Sequence, residues 1–462
     1  MKKLFRIGPD KHGGGDSSGG RPLLFSWQPR GNFLATVGRN AVVHIWDRHG
    51  EKIPDGEIAC KGQGPVLAVE WDAAGECVAV LQEGNGVVEL WDINTRTSMP
   101  LDTNLTDPTF LKWSTTGPEL AIGTAKGNLL LYNEDTRRKV PVLGKHPRRI
   151  TCGAWGLGGK KLAMGSEDRT MTISDREGNT EDQRELKQPA LEMCFAMAKG
   201  GGADGNRSGG GNETHLSVNL GTSLLLYDLR DPDNPLELAF QAKYGRIVKH
   251  CWFDDGHIML GFSEGFLVVI STLMQEIGEE LYSARFHSST LTDVAYSPHL
   301  QLAACAGDGG VKVVDCSKGF DDVKQPELIV LQGPNNGGNN NINNNGAGRY
   351  ERCSSVGWSP DGQILTVAST SGCVHGFLAR MQIVHASYKS HVAFLSSLKE
   401  VSVVDVRTSL PPVRVVLSLE PQFLALGNMH VAAGSGSRVV FHRCLPEDTS
   451  RVGAGGPEGQ EY

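Results

Sequence analysis

The 462-residue sequence predicts an all-β fold: a WD40-type seven-bladed β-propeller followed by an incomplete second propeller. Three observations predict it: a recurring aromatic residue, a Trp-Asp-like dipeptide later in each unit, and short apolar stretches separated by turns. The aromatic recurs about every 40 to 45 residues, apart from two longer steps that contain Gly- or Asn-rich inserts. Its positions are Trp27, Trp71, Trp113, Trp155, Phe195, Trp252, Tyr296 and Trp358.

The Trp-Asp-like dipeptide gives the second signal. It is clearest at Trp46-Asp47 and Trp91-Asp92 and survives in altered form at Tyr132-Asn133, Ser174-Asp175, Tyr227-Asp228, Ile270-Ser271 and Val314-Asp315. A period of about 40 to 45 residues with this ending is typical of four-stranded propeller blades. Because the acidic members fall at predicted strand ends, the sequence favours turn-forming side-chain hydrogen bonds over an acidic site.

Each unit also contains the expected strands. One apolar stretch ends at the aromatic, a second is rich in small residues (Leu34–Gly38), and a third is β-branched (Val42–Trp46). Small residues suit crowded inner strands, and β-branched residues suit half-buried pleats. The predicted structural residues of the repeat are Trp27, Trp46, Asp47, Trp71, Trp91, Asp92, Trp113, Trp155, Trp252 and Trp358.

Low-complexity segments set the predicted domain boundaries, because Gly- and Asn-rich sequence buries too little apolar surface to fold. The prediction is a seven-bladed propeller at 1–332 with a disordered insert at 199–212, a linker at 333–349, a partial second propeller at 350–445 and a disordered tail at 446–462. Two segments compete for the outer strand of blade seven: Glu327–Leu331 and Leu4–Ile7.

The restarted repeat after the linker leads to a further expectation. Two or three blades cannot close a ring, so residues 353–443 are expected to expose strand edges and apolar surface around Trp358, Phe377 and Phe394. A chain ending near Leu331 is accordingly expected to be soluble and monomeric.

Composition excludes several classes of protein. A formal charge of −7 and a pI near 6.1 give no general attraction to nucleic acid or anionic membranes. Ten cysteines without CxxC spacing indicate reduced core residues in the cytosol. The sequence has neither a signal peptide nor an apolar run near 18 residues, so no membrane span is expected.

No enzyme motif stands out. Gly434–Ser437 lacks the pattern of a phosphate-binding loop, and no nucleophile is placed beside a base. Strand histidines such as His44, His375 and His442 are interpreted as structural rather than metal ligands. We therefore predict no catalytic residue, cofactor, metal site or small-molecule substrate.

One basic segment is the candidate partner contact. It consists of Arg137, Arg138, Lys139, Lys145, His146, Arg148 and Arg149, on a predicted outer strand and the following loop. Such a patch on an acidic protein is either a solvated loop or a contact for an acidic partner surface.

Several stretches match one known family in order and spacing. They are Val43–Gly50, Gly127–Asn133, Lys139–Gly153, Asp231–Pro235, His257–Ser271, Ser359–Gln363 and Val392–Leu395. With them the chain resembles the WD-repeat protein 19 family, a core subunit of intraflagellar transport complex A, as far as about His442. Members carry two tandem propellers followed by helical repeats, so this chain resembles an N-terminal or truncated form.

The resemblance implies a non-enzymatic scaffold with other complex A subunits as partners. It implies a location in the cytoplasm, the cilium or flagellum and its basal region, and a role in cilium assembly, retrograde transport and ciliary membrane-protein entry. A second class stays open: a substrate receptor for a ubiquitin ligase or a peptide-binding adaptor, which copurification would distinguish. A catalytic propeller would need clustered polar or metal-binding residues on inner strands, which carry Ala, Gly, Ser and Thr instead.

Overall fold

A computed structural model describes most of the chain: residues 1–13, 22–196, 215–253, 256–273, 276–318, 327–331, 351–408, 410–444 and 460–461. Almost all of it forms short antiparallel strands and turns, which confirms the all-β propeller prediction. The chain divides into two compact units, Met1–Leu378 and Ala379–Tyr462. The predicted insert at 199–212 and linker at 333–349 lie outside the described residues.

The first unit begins with β1 (Lys2–Ile7) and a 3-10 helix (Pro9–His12). Four antiparallel sheets follow, each with four strands in chain order, and we number them as blades 1 to 4. Their strands are β2 (Leu24–Trp27), β3 (Phe33–Val37), β4 (Val42–Asp47) and β5 (Lys52–Ala59); β6 (Val66–Trp71), β7 (Cys77–Gln82), β8 (Val87–Asp92) and β9 (Thr97–Asp102); β10 (Pro108–Trp113), β11 (Glu119–Thr124), β12 (Leu129–Asn133) and β13 (Arg138–Val142); β14 (Ile150–Trp155), β15 (Lys161–Ser166), β16 (Thr170–Asp175) and β17 (Thr180–Glu185).

Blades 5 to 7 repeat the same order, with a second 3-10 helix (Ala242–Tyr244) between blades 5 and 6. Their strands are β18 (Glu192–Ala196), β19 (His215–Asn219), β20 (Ser223–Asp228) and β21 (Leu236–Ala239); β22 (Ile247–Phe253), β23 (His257–Phe262), β24 (Phe266–Ser271) and β25 (Glu280–Arg285); β26 (Leu291–Ser297), β27 (Leu302–Gly307), β28 (Gly310–Asp315) and β29 (Glu327–Ile329).

An eighth blade corrects the predicted count of seven. The strands β30 (Cys353–Trp358), β31 (Ile364–Ser369) and β32 (Val374–Leu378) follow the predicted linker, and β1 pairs with β32 as their fourth strand. Both candidate outer strands are therefore used, β29 in blade 7 and β1 in blade 8. The boundary predicted at residue 350 was wrong because residues 351–378 complete the first ring.

Contacts between blade 8 and blade 1 show that the ring closes. Trp27 Nε1 donates a hydrogen bond to Thr366 Oγ1 at 3.0 Å. Arg48 Nη2 lies 2.8 Å from Asp361 Oδ2 in an ion pair that is largely shielded from solvent. The His12 ring adds a hydrogen bond to the Gly372 carbonyl at 2.9 Å. These bonds join segments more than 300 residues apart in sequence, so the first and last parts of the first unit are bonded to each other.

Tryptophans at the ends of the first strands link blades 2, 4, 6 and 8 to the blade before each of them. Their indole N–H groups donate to acceptors in the preceding blade: Trp71 to the Ser26 carbonyl, Trp155 to the Lys112 carbonyl, Trp252 to Ser217 Oγ and Trp358 to the Ala295 carbonyl, at 2.8 to 3.2 Å. The first strands of successive blades also contact one another. Buried apolar clusters likewise combine residues from two adjacent blades, so the core lies between the sheets.

The acidic residues of the Trp-Asp-like dipeptides stabilise the turns that follow them through side-chain hydrogen bonds. Asp47 Oδ1 accepts hydrogen bonds from the backbone N–H groups of His49 and Glu51. Asp92 does the same for Asn94 and Thr95. Buried Trp46 donates to Thr36 Oγ1 within blade 1, and Trp91 and Trp113 are also buried. All ten cysteines are free thiols, seven of them buried and three half-buried.

The second unit holds two four-stranded sheets. Their strands are β33 (His385–Tyr388), β34 (His391–Ser397), β35 (Glu400–Asp405) and β36 (Val413–Val416); β37 (Phe423–Leu426), β38 (His430–Ser435), β39 (Arg438–Arg443) and β40 (Gln460–Glu461). The disordered tail predicted at 446–462 is thus wrong for Gln460–Glu461, which pairs with β39, and its other residues lie outside the described ranges.

The apolar surface predicted after the linker is only partly exposed. Phe377 is 6% exposed because blade 8 packs it against blade 7, and Trp358 is half-buried at the same boundary. Phe394, in the second unit, is 40% exposed. The prediction of exposed apolar surface is therefore wrong for residues 353–378, which join the first ring. Among the residues that the structure describes, exposed apolar surface of the predicted kind is found only in the second unit, as at Phe394.

Candidate interaction surface

Strand β13 divides the predicted basic segment into two groups. Arg137, Arg138 and Lys139 lie at the turn before β13 and at its start, whereas Lys145 to Arg149 lie in the loop that follows it. Since a strand advances about 3.4 Å per residue, the two ends of this five-residue strand are about 14 Å apart. The seven predicted contact residues therefore do not form one patch.

Lys145 and His146 serve the blade rather than its surface. Lys145 Nζ donates to the Gly178 carbonyl at 3.0 Å and to Thr180 Oγ1 at 2.6 Å, joining this loop to blade 4. Burial lowers its pKa, partly opposed by the charge of Asp175. An amine held in this way is not available to a partner.

The His146 ring is 1% exposed and fully engaged. Its Nδ1 lies 3.2 Å from Asp168 Oδ2 and 3.0 Å from Thr170 Oγ1, and its Nε2 lies 3.0 Å from Thr172 Oγ1. Burial lowers the pKa of this histidine, with Asp168 acting in the opposite direction. His146 is thus a structural hydrogen-bonding centre of blade 4.

The remaining arginines keep their guanidinium groups free of ion pairs within the described part of the chain. The backbone carbonyls of Arg148 and Arg149 accept hydrogen bonds from Ser166 Oγ and from the Glu167 N–H. Their loop also carries Leu143, whose side chain is 71% exposed. Arginine beside exposed apolar surface is a composition enriched in protein interfaces.

At the other end of the sheet, Arg138 borders a cleft of about 370 Å³ between blades 3 and 4. Arg176 reaches into the same cleft and forms an ion pair with buried Glu119, which also accepts a hydrogen bond from Asn133 Nδ2 at 3.3 Å. Lys139 Nζ donates to the Asp102 carbonyl and so ties blade 3 to blade 2. Arg176 and Glu119 are distant in sequence, so no local motif could have revealed the cleft.

Sequence analysis also did not predict a charged cluster on β18 and β22, the first strands of blades 5 and 6. Glu192 of blade 5 forms an ion pair with Lys249 of blade 6, and its other oxygen lies 2.9 Å from His250 Nδ1. Burial alone raises the pKa of Glu192, but the His250 hydrogen bond and the Lys249 charge outweigh it and hold the pKa at about 2. The cluster therefore stabilises the boundary between blades 5 and 6.

We predict that Glu192→Gln removes a pH-dependent part of the stability. The folded pKa lies below the ordinary value of 4.5, so this stabilisation is present above pH 4.5 and is lost as the pH falls towards 2. The shift corresponds to about 3 kcal/mol of unfolding free energy at neutral pH. Burial raises the pKa of nearby Asp293 to about 6, and the Glu192 charge adds to this shift, so Glu192→Gln should also lower the pKa of Asp293.

Urea unfolding of wild type and Glu192→Gln between pH 7 and 2.5 measures this difference. It should be largest at neutral pH and shrink below pH 4.5. Glu185→Gln, at an exposed position on β17, controls for the change in net charge. A difference that stays constant across the range would contradict the assigned role.

The geometry defines the class of protein first: a WD-repeat β-propeller whose eight blades close through the N-terminal strand. Comparison with known proteins then gives the family. Residues 23–372 match the model for the WDR19 first beta-propeller, and residues 392–454 match that for the WDR19 second beta-propeller. The chain therefore belongs to the WDR19 family.

Individual relatives agree with the family match. The chain is 38% identical over 426 residues to WD repeat-containing protein 19 of Mus musculus and of Homo sapiens, covering 92% of this chain and 30% of each relative. It is 29% identical over 443 residues to WD repeat-containing protein dyf-2 of Caenorhabditis elegans, covering 95% of this chain and 29% of that protein. The chain thus spans less than a third of the length of these relatives.

The family boundary agrees with the corrected blade count, because the first-propeller match extends through blades 1 to 7 into blade 8. No helix among the described residues is both long and apolar enough to cross a membrane.

Proposed function

We propose that this chain is the propeller region of a non-enzymatic interaction scaffold of intraflagellar transport complex A. Membership of the WDR19 family is the observation that carries the proposal. In this role the chain works in the cytoplasm, the cilium and its basal region, with other complex A subunits as partners. Through that complex it supports cilium assembly, retrograde transport and the entry of membrane proteins into cilia.

The closed ring suits a scaffold for a physical reason. Apolar clusters shared between adjacent blades, and tryptophan hydrogen bonds at several of the boundaries, give the loops at the sheet ends a rigid frame. Rigid presentation lowers the entropy lost on association. We place a partner contact on the loop 143–149, which carries Arg148, Arg149 and exposed Leu143.

We predict that the double charge reversal Arg148→Glu, Arg149→Glu weakens capture of complex A subunits. If the loop meets an acidic partner surface, reversal removes electrostatic steering and should lower the association rate by about tenfold or more at low salt. It should also flatten the salt dependence of binding, while the melting temperature stays unchanged. The measurement is capture from ciliated cells with subunits identified by mass spectrometry.

The matched control reverses Arg137 and Arg138, at the other end of β13. This double variant carries the same change in charge and should capture the subunits normally if the contact lies on loop 143–149. Normal capture by the Arg148, Arg149 variant would show that loop 143–149 is a solvated loop and does not contact the partner. Recovery of ubiquitin ligase subunits instead of complex A subunits would favour the substrate-receptor alternative.

A further inference from the structure

Three buried side chains of blade 8 converge on one point. Glu351 lies just before β30, Cys373 in the turn before β32, and His375 within β32. One potential ligand atom from each lies within 4.8 Å of those of the other two. Their residues are 8%, 0% and 1% exposed, so water does not screen the group.

We propose that Glu351, Cys373 and His375 form a zinc-binding site. Carboxylate, thiolate and imidazole are the three side-chain ligand types that Zn²⁺ accepts. Glu351 Oε2 and His375 Nε2 are 3.4 Å apart, which is long for a strong hydrogen bond. Ligands at about 2.1 Å from a tetrahedral ion are separated by about 3.4 Å. The observed spacing therefore fits two ligands of one ion.

The equivalent position in blade 4 shows what an ordinary polar cluster looks like. In the strand register Cys373 and His375 take the places of Thr170 and Thr172, which both bond to His146. Both nitrogens of His146 have close partners. In blade 8, by contrast, His375 Nδ1 is buried and without a hydrogen-bond partner within the described residues. The nitrogen placed to bind a metal ion is Nε2, which faces Glu351 and Cys373 instead of threonine hydroxyls.

Neighbouring groups hold the proposed ligands in place. Ser371 Oγ donates to Glu351 Oε1 at 2.9 Å, leaving Oε2 directed at the histidine. Arg6 of β1 donates to Cys373 Sγ at 3.3 Å. Hydrogen bonds of this kind orient metal ligands and tune their affinity. With Glu351 and a Cys373 thiolate, the site supplies two negative charges for a divalent cation.

The position of the site gives it a structural consequence. Glu351 precedes the first strand of blade 8, His375 lies on its third strand, and Arg6 belongs to β1, which completes the sheet. A bound ion would fix these segments together in the blade that closes the ring. Three protein ligands leave one tetrahedral position to water, so binding should be weaker than in a four-ligand structural site.

The test uses the full chain without an affinity tag. The protein is equilibrated with Zn²⁺, freed of unbound ion and analysed for metal content, and a second sample is loaded with Co²⁺. We expect one Zn²⁺ per chain and a thiolate-to-cobalt charge-transfer band. Cys373→Ala should lose both, whereas Cys353→Ala, a buried cysteine of the same blade outside the triad, should keep both. Absence of zinc uptake by wild type, or a charge-transfer band that persists in Cys373→Ala, would overturn the proposal.

Two further measurements do not depend on removing a buried ligand. Ser371→Ala, at a half-buried position, should weaken Zn²⁺ binding by about 10- to 100-fold while keeping the fold. Zn²⁺ should also raise the melting temperature of wild type relative to chelator-treated protein, because an ion bound to the folded state stabilises it. His44→Gln, at the equivalent position of blade 1, should retain that shift, and His375→Gln should lose it. Equal shifts in both histidine variants would place the metal elsewhere.

Discussion

A chain shortened to residues 1–331 is expected to lose its cooperative fold, which reverses the sequence-based expectation of a soluble monomer. The shortening removes blade 8, so the neighbouring faces of blades 7 and 1 become exposed and β1 loses its partner strand. Val356, Leu365, Val367 and Phe377 are buried against blade 7. Burying four such side chains contributes roughly 6–12 kcal/mol, which is comparable to the total stability of a typical domain of about 5–15 kcal/mol.

The control for this experiment is a chain that ends at Leu378. It keeps all eight blades and the contacts that close the ring, including Trp27 with Thr366 and Arg48 with Asp361. We expect a monomer with one sharp thermal transition, whereas the 1–331 chain should aggregate through its open strand edges and apolar faces. Light scattering and thermal melting at equal concentration compare the two.

Phe5→Ala tests the same closure without removing a blade. Phe5 lies in β1 and is 8% exposed, and its ring packs so closely on Gly376 and Gly50 that neither position has room for a side chain. Truncating a buried phenylalanine costs about 3–5 kcal/mol. A folded monomer from the 1–331 chain, together with wild-type stability in Phe5→Ala, would refute closure by blade 8.

The blade count shows that sequence periodicity predicts the number of repeat units but not which ring each unit belongs to. The aromatic repeat already contains eight members, ending at Trp358, and it predicts the strands around each one. The low-complexity stretch before Glu351 suggested a domain boundary, so the eighth unit was assigned to the next ring. Closure depends on pairing between β1 and β32, whose residues are more than 360 positions apart. No local pattern encodes such a partner.

The basic segment shows a similar limit for surface residues. Sequence spacing identifies Lys145 and His146 as polar loop residues, but it cannot tell that both are bonded to blade 4. The same holds for Glu351, Cys373 and His375, because two strands, β30 and β31, separate the first from the others. The role of turn residues such as Asp47 was easier to predict from the sequence, since their hydrogen bonds reach only two to four residues along the chain.

Trp155→Ala is expected to destabilise the first unit by about 3–5 kcal/mol, the usual cost of removing a buried aromatic side chain. Trp155 is 3% exposed and packs with Phe110, Ile150 and Met164 between blades 3 and 4. Its indole N–H also donates to the Lys112 carbonyl at 3.0 Å. The substitution therefore opens a cavity and leaves a carbonyl without its donor at one blade boundary.

Trp155→Phe separates these two effects. It keeps an aromatic ring but removes the N–H donor, so it should cost about 1–3 kcal/mol, less than the alanine variant. Urea unfolding of wild type and both variants in the chain ending at Leu378 gives the comparison, with capture of complex A subunits by the full chain as a second readout. Capture should fall only as far as folding does, because the side chain is buried in the frame. An alanine variant that unfolds like wild type yet fails to capture partners would show that Trp155 belongs to a binding surface instead.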